Sequence, residues 1–238
     1  MAKVVILSGA GISAESGIST FRESNGLWEN YSVEDVCTLG CLISNRQETI
    51  DFYDQRRLEL EYKEPNHAHK VLAQLKNNYP DDIAIITQNV DNLFEKAGIT
   101  HKNVIHLHGY LPDIECESCG YVYEIGYNKL TDANGGQCPK CGSEYLRPFI
   151  VMFGEMAPMY EKLDQEIQDC SLLVVIGTSG MVVGVNTLAH FVDRSILNNL
   201  EPSEAINEAY FDKVIYAKAT EAIEEIAYEI EDLLSKTR

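Results

Sequence analysis

Short apolar runs along the chain predict buried β-strands. They cover residues 3–8, 83–87, 104–108 and 171–176, and three of them, 3–8, 104–108 and 171–176, are followed directly by a glycine. Most of these runs are apolar at nearly every position instead of alternating with polar residues. We therefore expect strands that are covered on both faces, as in a parallel sheet.

Apolar residues at helical spacing separate these runs. Residues 42–62 interleave apolar and charged side chains, Pro65 and Asn66 precede a second helical pattern, and an amphipathic pattern begins at Thr220. Strands that alternate with helices indicate an α/β fold. Residues 195–198 are only weakly strand-like, which leaves one edge of the sheet undetermined.

Polar or glycine residues follow each predicted strand. The four ends carry, in turn, residues 9–13; Gln88, Asn89 and Asp91; His108; and residues 177–179. Parallel sheets of this kind bind ligands at the carboxyl ends of their strands. The pattern therefore predicts that the four ends meet in one crevice.

The turn after the first strand reads Gly9-Ala10-Gly11-Ile12-Ser13-Ala14, the G-x-G-x-x-G/A pattern. We expect it to open a helix whose free N–H groups face a pyrophosphate, although an ordinary strand-to-helix turn is the alternative. The acidic residue about 20 positions later is missing, because no strand precedes residues 28–35. This argues against the usual dehydrogenase arrangement.

Four of the seven cysteines form two Cys-x-x-Cys pairs, Cys116/Cys119 and Cys138/Cys141, with residues 120–137 between them. This spacing is typical of a zinc ribbon, in which four thiolates close the coordination shell of a structural Zn²⁺. A redox pair is a weaker alternative. The remaining cysteines, 37, 41 and 170, are predicted to be small buried hydrophobic residues.

Two histidines stand two positions apart in the 104–108 run, so they share a face. A metal pair would need a third ligand, and the sequence indicates none nearby, so His106 is interpreted as a core residue. His108 comes last and precedes Gly109, which favours a position in the crevice. A neutral imidazole there suits a general base near neutral pH.

The composition is that of a globular protein, with 45% hydrophobic and 24% charged residues. The formal net charge is −18, from 19 basic and 37 acidic residues, which argues against nucleic-acid binding. We expect no signal peptide, no membrane span, a monomer, and a cytoplasmic location, where cysteines stay reduced.

Taken together, the motifs resemble those of sirtuins, from about residue 3 to the end. "GAGISAESGISTFR", "PNHAH", "TQNVDNL", "HLHG", the two cysteine pairs, "FGE", "GTS" and "NLEP" occur in the family's order. The resemblance implies a Rossmann-like NAD-binding domain from residues 1–30, 76–111 and 148–238. It also implies a small domain with a helical insertion, 31–75, and a zinc ribbon, 112–147.

Sirtuins are NAD-dependent protein-lysine deacylases. The resemblance implies that NAD is consumed and that the acyl-lysine oxygen attacks the ribose carbon that carries nicotinamide. The products would be nicotinamide, O-acyl-ADP-ribose and free lysine. His108 would be the general base, with Asn89 and Asp91 as further catalytic residues. The implied NAD contacts are Gly9, Ala10, Gly11, Ile12, Ser13, Glu15, Phe21, Arg22, Trp28, Gln88, Asn89, Asp91, Gly177, Thr178, Ser179, Asn199 (or Asn198), Leu200, Glu201 and Ala219.

The acyl group is indicated by "FYDQRR". Tyr53 and Arg56 lie three positions apart on one helix face and match the Tyr-x-x-Arg of sirtuins that remove succinyl, malonyl and glutaryl groups. Cys37 falls where that class has a small residue, which would leave the acyl channel wide. The alternative is a solvated Arg56 paired with Glu59 or Asp54.

The acylated lysine would lie in an extended protein segment that pairs with Val151, Phe153, Gly154 and Glu155. Three alternatives to an acidic-acyl deacylase remain at this point. They are a plain NAD-dependent deacetylase, an NAD-dependent protein ADP-ribosyltransferase, and a non-catalytic NAD-binding module.

Overall fold

A computed structural model describes residues 3–19, 27–28 and 31–236 of the 238-residue chain. Its strands and helices are, in chain order, β1 (Val4–Ser8), β2 (Leu27–Trp28), β3 (Tyr31–Ser32), α1 (Val33–Val36), α2 (Cys41–Ser44), α3 (Arg46–Leu60), α4 (His67–Asn78), β4 (Ile83–Thr87), α5 (Leu93–Lys96), β5 (Val104–His106), β6 (Gly109–Cys116), β7 (Val122–Glu124), β8 (Leu146–Ile150), α6 (Tyr160–Ile167), β9 (Leu172–Ile176), α7 (Val185–His190), β10 (Arg194–Asn199), β11 (Lys213–Tyr216) and α8 (Ala219–Lys236).

The main sheet has six parallel strands in the order β11-β10-β9-β1-β4-β5. The strands β1, β4 and β9 are buried along their whole length, because apolar clusters cover both faces of the sheet. Helices α4 and α8 pack on one face, and α6 and α7 pack on the other. The predicted Rossmann-like α/β fold is confirmed.

The weakly predicted segment is an interior strand. β10 runs over six residues, Arg194–Asn199, and lies between β9 and β11. Its polar side chains weakened the strand pattern in the sequence, yet most of them are buried and hydrogen-bonded in the structure. The Asn198 side chain donates to the carbonyl oxygens of Ile215 and Ala217, both at 3.0 Å. The edge strand is β11, which the sequence pattern did not indicate.

A second, three-stranded antiparallel sheet has the order β7-β6-β8. Its apolar side chains share a core with those of α2 and α3. The predicted helix over residues 42–62 is two helices that meet at Asn45, and the second ends at Leu60. Helix α4, which the predicted 31–75 insertion partly includes, packs against the main sheet; the domain division itself stays a prediction.

None of the helices in the described part of the chain combines the length and the apolar character that crossing a bilayer requires.

Candidate active site

A cavity of about 1090 Å³ lies at the carboxyl ends of the main strands, next to the second sheet and α3. Residues from the predicted ends of all four runs line it, so the structure brings these ends together. The predicted residues that line it are Gly9, Ala10, Gly11, Ser13, Glu15, Gln88, Asn89, Asp91, His108, Gly177, Thr178, Ser179, Asn199, Leu200, Glu201 and Ala219.

Some predicted positions do not belong to this lining. The Ile12 side chain is fully buried in the core beneath the sheet, so it supports the turn instead of facing the cavity. Phe21, Arg22 and the side chain of Trp28 lie outside the described residues.

The glycine turn differs from the predicted helix start. Residues Ala10–Ile12 and Ala14–Ser16 form two short 3₁₀ turns. The N–H of Gly11 donates to the carbonyl oxygen of Gly177 at 2.8 Å, so the turns after β1 and β9 touch through their backbones. A Cβ on Gly11 would lie 2.7 Å from the Gly177 Cα, which leaves no room for a side chain. The glycines therefore let the two turns pack against each other, and their backbones together form a cradle in the cavity wall.

Ser13 joins the polar residues that follow β4. Asn89 Nδ2 donates to Ser13 Oγ at 3.0 Å, and Ser13 Oγ donates to Asp91 Oδ2 at 2.8 Å. The other Asp91 oxygen accepts from the N–H of Leu93 at 3.1 Å. Burial raises the pKa of Asp91, while the bonds from Leu93 and Ser13 oppose that rise. The chain of bonds fixes the orientation of the Asn89 amide at the cavity wall.

Thr178 links β4 with β9 and β10. Gln88 Nε2 donates to Thr178 Oγ1 at 3.0 Å, and Asn199 Nδ2 donates to the Thr178 carbonyl at 2.9 Å. Asn198 and Asn199 both line the cavity, and both are almost fully buried. Asn199, or Asn198 in its place, therefore stays a predicted NAD contact.

His108 lies two residues beyond the end of β5, so the predicted strand was two residues too long. Its Nδ1 donates to the Gln88 carbonyl at 2.8 Å, and the Tyr160 hydroxyl donates to its Nε2 at 3.1 Å. The Nε2 lone pair therefore accepts the hydrogen bond from Tyr160, and both residues line the cavity. Burial lowers the pKa of His108, against the effect of the Gln88 bond. The ring is therefore a neutral proton acceptor.

Tyr160 is a residue that the sequence did not reveal. It begins α6, 52 positions after His108, and no local pattern connects the two. Only the packing of α6 against the sheet brings its hydroxyl to the imidazole.

The predicted acyl-pocket residues Cys37, Tyr53 and Arg56 all line one side of the cavity. The Tyr53 hydroxyl donates to Cys37 Sγ at 3.5 Å, and burial raises the pKa of Tyr53, which keeps the phenol neutral. The Arg56 side chain is only 7% exposed. It contacts Glu59, with both N–O distances at 3.2 Å, and its guanidinium lies 5.2 Å from the centre of the Phe52 ring.

The alternative partner of Arg56 is engaged elsewhere. Asp54 forms a buried ion pair with Arg57 and accepts from the N–H of Leu130. The Arg56–Glu59 pair that the sequence offered as an alternative is thus present, but the arginine is buried and not solvated. Glu59 also lines the cavity.

The segment 151–155 borders the cavity opening. The Val151 N–H donates to the His108 carbonyl, and Phe153 exchanges backbone bonds of 2.8 Å with Cys37 and Leu39. Glu155 is held by two bonds from Arg147, at 2.7 and 2.9 Å. Both backbone groups of Phe153 are therefore engaged within the protein, and an added chain would have to use the opposite edge of the segment.

The four predicted cysteines form one cluster beside the second sheet, where Cys116 ends β6 and the other three lie outside the strands. Sγ of Cys116 is 3.6 Å from Sγ of Cys141, and Sγ of Cys119 is 3.8 Å from Sγ of Cys138. Four thiolates at about 2.3 Å from a tetrahedral Zn²⁺ lie about 3.8 Å apart. The cluster thus fits a closed, structural zinc ion. The other three cysteines are buried, as predicted.

Comparison with known proteins identifies the family of the chain. The profile of the Sir2 family matches residues 9–184. The chain belongs to the Sir2 family.

Other Sir2 proteins match along almost the whole chain. A protein of Campylobacter jejuni (strain RM1221), named NAD-dependent protein deacylase, is 46% identical over 234 residues, 98% of each chain. One of the same name from Helicobacter hepaticus is 40% identical over 255 residues, covering 97% of this chain and 98% of its own. A solved Sir2 homologue in complex with NAD is 33% identical, with a TM-score of 0.82 over 97% of this chain and 90% of that one.

The cavity of this Sir2 protein suits such a dinucleotide in its chemistry. The close Gly11–Gly177 contact, which has no room for a Cβ, forms a backbone cradle in the cavity wall, and amide and hydroxyl groups of Ser13, Gln88 and Asn89 also line the cavity. Uncharged donors and backbone N–H groups are the partners that ribose and phosphate oxygens require.

Proposed function

We propose that this protein, an NAD-dependent protein-lysine deacylase of the Sir2 family, prefers acyl groups that end in a carboxylate, such as succinyl, malonyl and glutaryl. The observation that carries the proposal is the buried guanidinium of Arg56 on the cavity wall, on the same side as Tyr53 and Cys37. A buried arginine in a ligand cavity favours a ligand that brings negative charge.

The chemistry that NAD supplies when bound is an electrophilic ribose carbon with nicotinamide as its leaving group. Gln88, Asn89 and Asp91 would bind that end of the dinucleotide, since their side chains are already oriented by Ser13 and Thr178. Residues 9–13 would border the pyrophosphate by close approach of their backbone, because the N–H groups of Gly9, Gly11, Ile12 and Ser13 already donate to backbone carbonyls. Gly177, Thr178, Ser179, and Asn199 or Asn198 would hold the adenosine side.

His108 would act as the general base. Its Nδ1–H is committed to Gln88, so only Nε2 can accept a proton, and a ribose hydroxyl would have to replace the Tyr160 hydroxyl there. The neutral state that burial favours is the state that the step needs. Tyr160 would afterwards be free to bond the acyl group or solvent.

The substrate would be an acylated lysine in an extended protein segment. Strand-like pairing with residues 151–155 reads the backbone and is largely blind to sequence, which suits an enzyme with many protein substrates. The Arg147–Glu155 pair supports this proposal, because it holds the segment rigidly at the cavity opening.

Glu59 modifies the acidic-acyl proposal. It forms an ion pair with Arg56, so an incoming carboxylate must compete with the Glu59 side chain. Glu59 is 40% exposed, and an exposed carboxylate can turn into solvent at low free-energy cost. An acetyl group fits the same space without using Arg56. Deacetylation is therefore expected as a second activity, and plain deacetylation is the alternative function.

The test compares matched acetyl-lysine and succinyl-lysine peptides with NAD and follows the products by mass spectrometry. Arg56→Met should lower kcat/KM for the succinyl peptide by about tenfold to a hundredfold, the worth of lost charge-assisted hydrogen bonds. The acetyl peptide should change little. Arg194→Met, at an exposed ion pair with Glu229, is the matched control and should change neither.

If the protein prefers the acetyl peptide and Arg56→Met does not change that preference, the acidic-acyl proposal is wrong and the protein is a plain deacetylase. ADP-ribose attached to the peptide or to an acyl-free protein would instead indicate an ADP-ribosyltransferase.

A further inference from the structure

A second cluster of side chains that can act as metal ligands lies outside the cavity and apart from the four cysteines. It consists of Glu95 on α5, His101 in a 3₁₀ turn (His101–Asn103), and His106 at the end of β5. Glu95 Oε1 is 2.9 Å from His106 Nε2 and 3.0 Å from His101 Nδ1. The sequence offered no third ligand for His106 because the fold alone assembles these three residues.

The geometry of His106 places either a proton or a metal ion between its ring and Glu95. Its Nδ1 is 3.1 Å from the carbonyl oxygen of Asn89, which can only accept, so Nδ1 carries a hydrogen. In a neutral ring, Nε2 would then direct its lone pair at the Glu95 carboxylate. Either a second proton or a metal ion must lie between them. A backbone carbonyl that fixes the tautomer in this way is also the usual outer partner of a metal-binding histidine.

The surroundings favour positive charge. Glu95 Oε2 is buried and has no hydrogen-bond partner among the residues that the structure describes. Asp113 lies close enough that His101 and His106 lower its pKa, against the rise caused by burial. The Tyr110 ring packs against both imidazoles, with ring centres 4.2 and 4.8 Å away.

The distances also suit an ion. All three ligand atoms lie within 4.8 Å of one another. Nitrogen and oxygen ligands of a tetrahedral Zn²⁺ lie about 3.3 Å apart. The two short contacts to Glu95 would therefore open by a few tenths of an ångström, and the His101 and His106 nitrogens, which are within 4.8 Å of each other, would adjust to the same spacing. The His101 side chain is 51% exposed, which gives an ion a way in from solvent.

We propose that Glu95, His101 and His106 bind a late first-row divalent metal ion such as Zn²⁺, separately from the zinc of the four cysteines. Two imidazoles and one carboxylate are a donor set that Zn²⁺ and its neighbours accept, with a fourth position open to water. Mg²⁺ and Ca²⁺ prefer oxygen ligands, so the site should discriminate against them. The bound ion would tie α5, the 3₁₀ turn and β5 together behind the loop that carries Asn89.

The test is calorimetric titration of Zn²⁺ into the full protein, with zinc already on the four cysteines. The natural protein should bind one further Zn²⁺, and its Tm should rise with added Zn²⁺. His101→Asn and Glu95→Gln should weaken this binding by about tenfold or more. His67→Asn removes an exposed histidine that pairs with Glu224 and belongs to no three-ligand cluster among the described residues. This variant should bind Zn²⁺ like the natural protein.

His101→Asn is the decisive variant, because its exposed side chain can be replaced without disturbing the core. The proposal would be overturned if the natural protein bound no further Zn²⁺, or if it and His101→Asn bound Zn²⁺ with equal affinity. The contacts of Glu95 with the two histidines would then be hydrogen bonds only. Neither result depends on which acyl group the enzyme removes.

Discussion

His108 is held in place by Gln88, whose backbone carbonyl accepts a 2.8 Å hydrogen bond from the Nδ1 of the imidazole. The same relationship recurs two residues earlier, where His106 Nδ1 bonds the carbonyl of Asn89. The last residue of β5 and the segment after it thus bond to the loop that leaves the neighbouring strand β4. The histidine that would move a proton is oriented by the same loop that would hold the dinucleotide.

The pH dependence of deacylation should reflect this buried imidazole. Burial disfavours the charged ring and lowers the pKa of His108 from its ordinary 6.5. The neutral base therefore persists as the pH falls, and kcat/KM should decline only below pH 6.5. We expect to see this in the rate of product formation measured from about pH 5 to 8.

Tyr160→Phe is the companion variant. The Tyr160 hydroxyl donates to His108 Nε2 and thereby stabilises the neutral ring. Without this hydroxyl the pKa of His108 should rise, so the acid limb of the rate profile should move to higher pH. His108→Ala should lose about a hundredfold or more in rate. An acid limb at or above pH 6.5 in the natural protein would contradict the assignment.

Glu59→Gln should improve turnover of succinyl peptides. The variant removes the carboxylate that competes for Arg56, so KM for the succinyl peptide should fall by about two- to fivefold, the scale of a partly exposed ion pair. Steady-state kinetics on acetyl and succinyl peptides would show it, with the acetyl KM unchanged. Glu61→Gln, at an exposed position just after α3, is the matched control. A rise in the succinyl KM would mean that Glu59 organises Arg56 instead of competing for it.

Asp54→Asn should destabilise the fold strongly. Asp54 pairs with the fully buried Arg57 and accepts from the N–H of Leu130, while Arg57 Nε donates to the Leu111 carbonyl. The change leaves a buried cation without its counter-charge, which costs about 3–5 kcal/mol in the free energy of unfolding.

Urea unfolding would measure the loss. Asp51→Asn, on the exposed face of the same helix, should change the free energy of unfolding by less than about 0.5 kcal/mol. Equal effects of the two substitutions would show that the buried pair does not tie α3 to the second sheet.

Gly11→Ala should impair NAD binding. The added Cβ would lie 2.7 Å from the Gly177 Cα, and both partners are backbone, so the two turns must separate. We expect at least about a tenfold loss of affinity in a direct NAD titration. Gly184→Ala is the control, because the nearest atom to its Cβ would be Thr187 Oγ1 at 3.8 Å. An unchanged affinity in Gly11→Ala would show that the cradle does not contact the dinucleotide.

The sequence predicted those parts of the fold and site that depend on local pattern. Uninterrupted apolar runs identified β1, β4 and β9, because a strand covered on both faces has no polar positions. The spacing of four cysteines indicated a metal cluster, since each Cys-x-x-Cys pair turns back on itself. The interior strand β10 was only weakly predicted, because its buried polar groups are satisfied by residues elsewhere in the chain.

By itself, the amino-acid sequence determined the alternation of strands and helices, the glycine turn and the cysteine pairs, because period and spacing are properties of neighbouring residues. Only the tertiary structure decided which polar groups meet. Tyr160 reaches His108 across 52 positions, and Glu95 reaches His106 across 11. The physical reason is that such contacts follow from how whole elements pack, and that packing sets the distances between side chains on different elements.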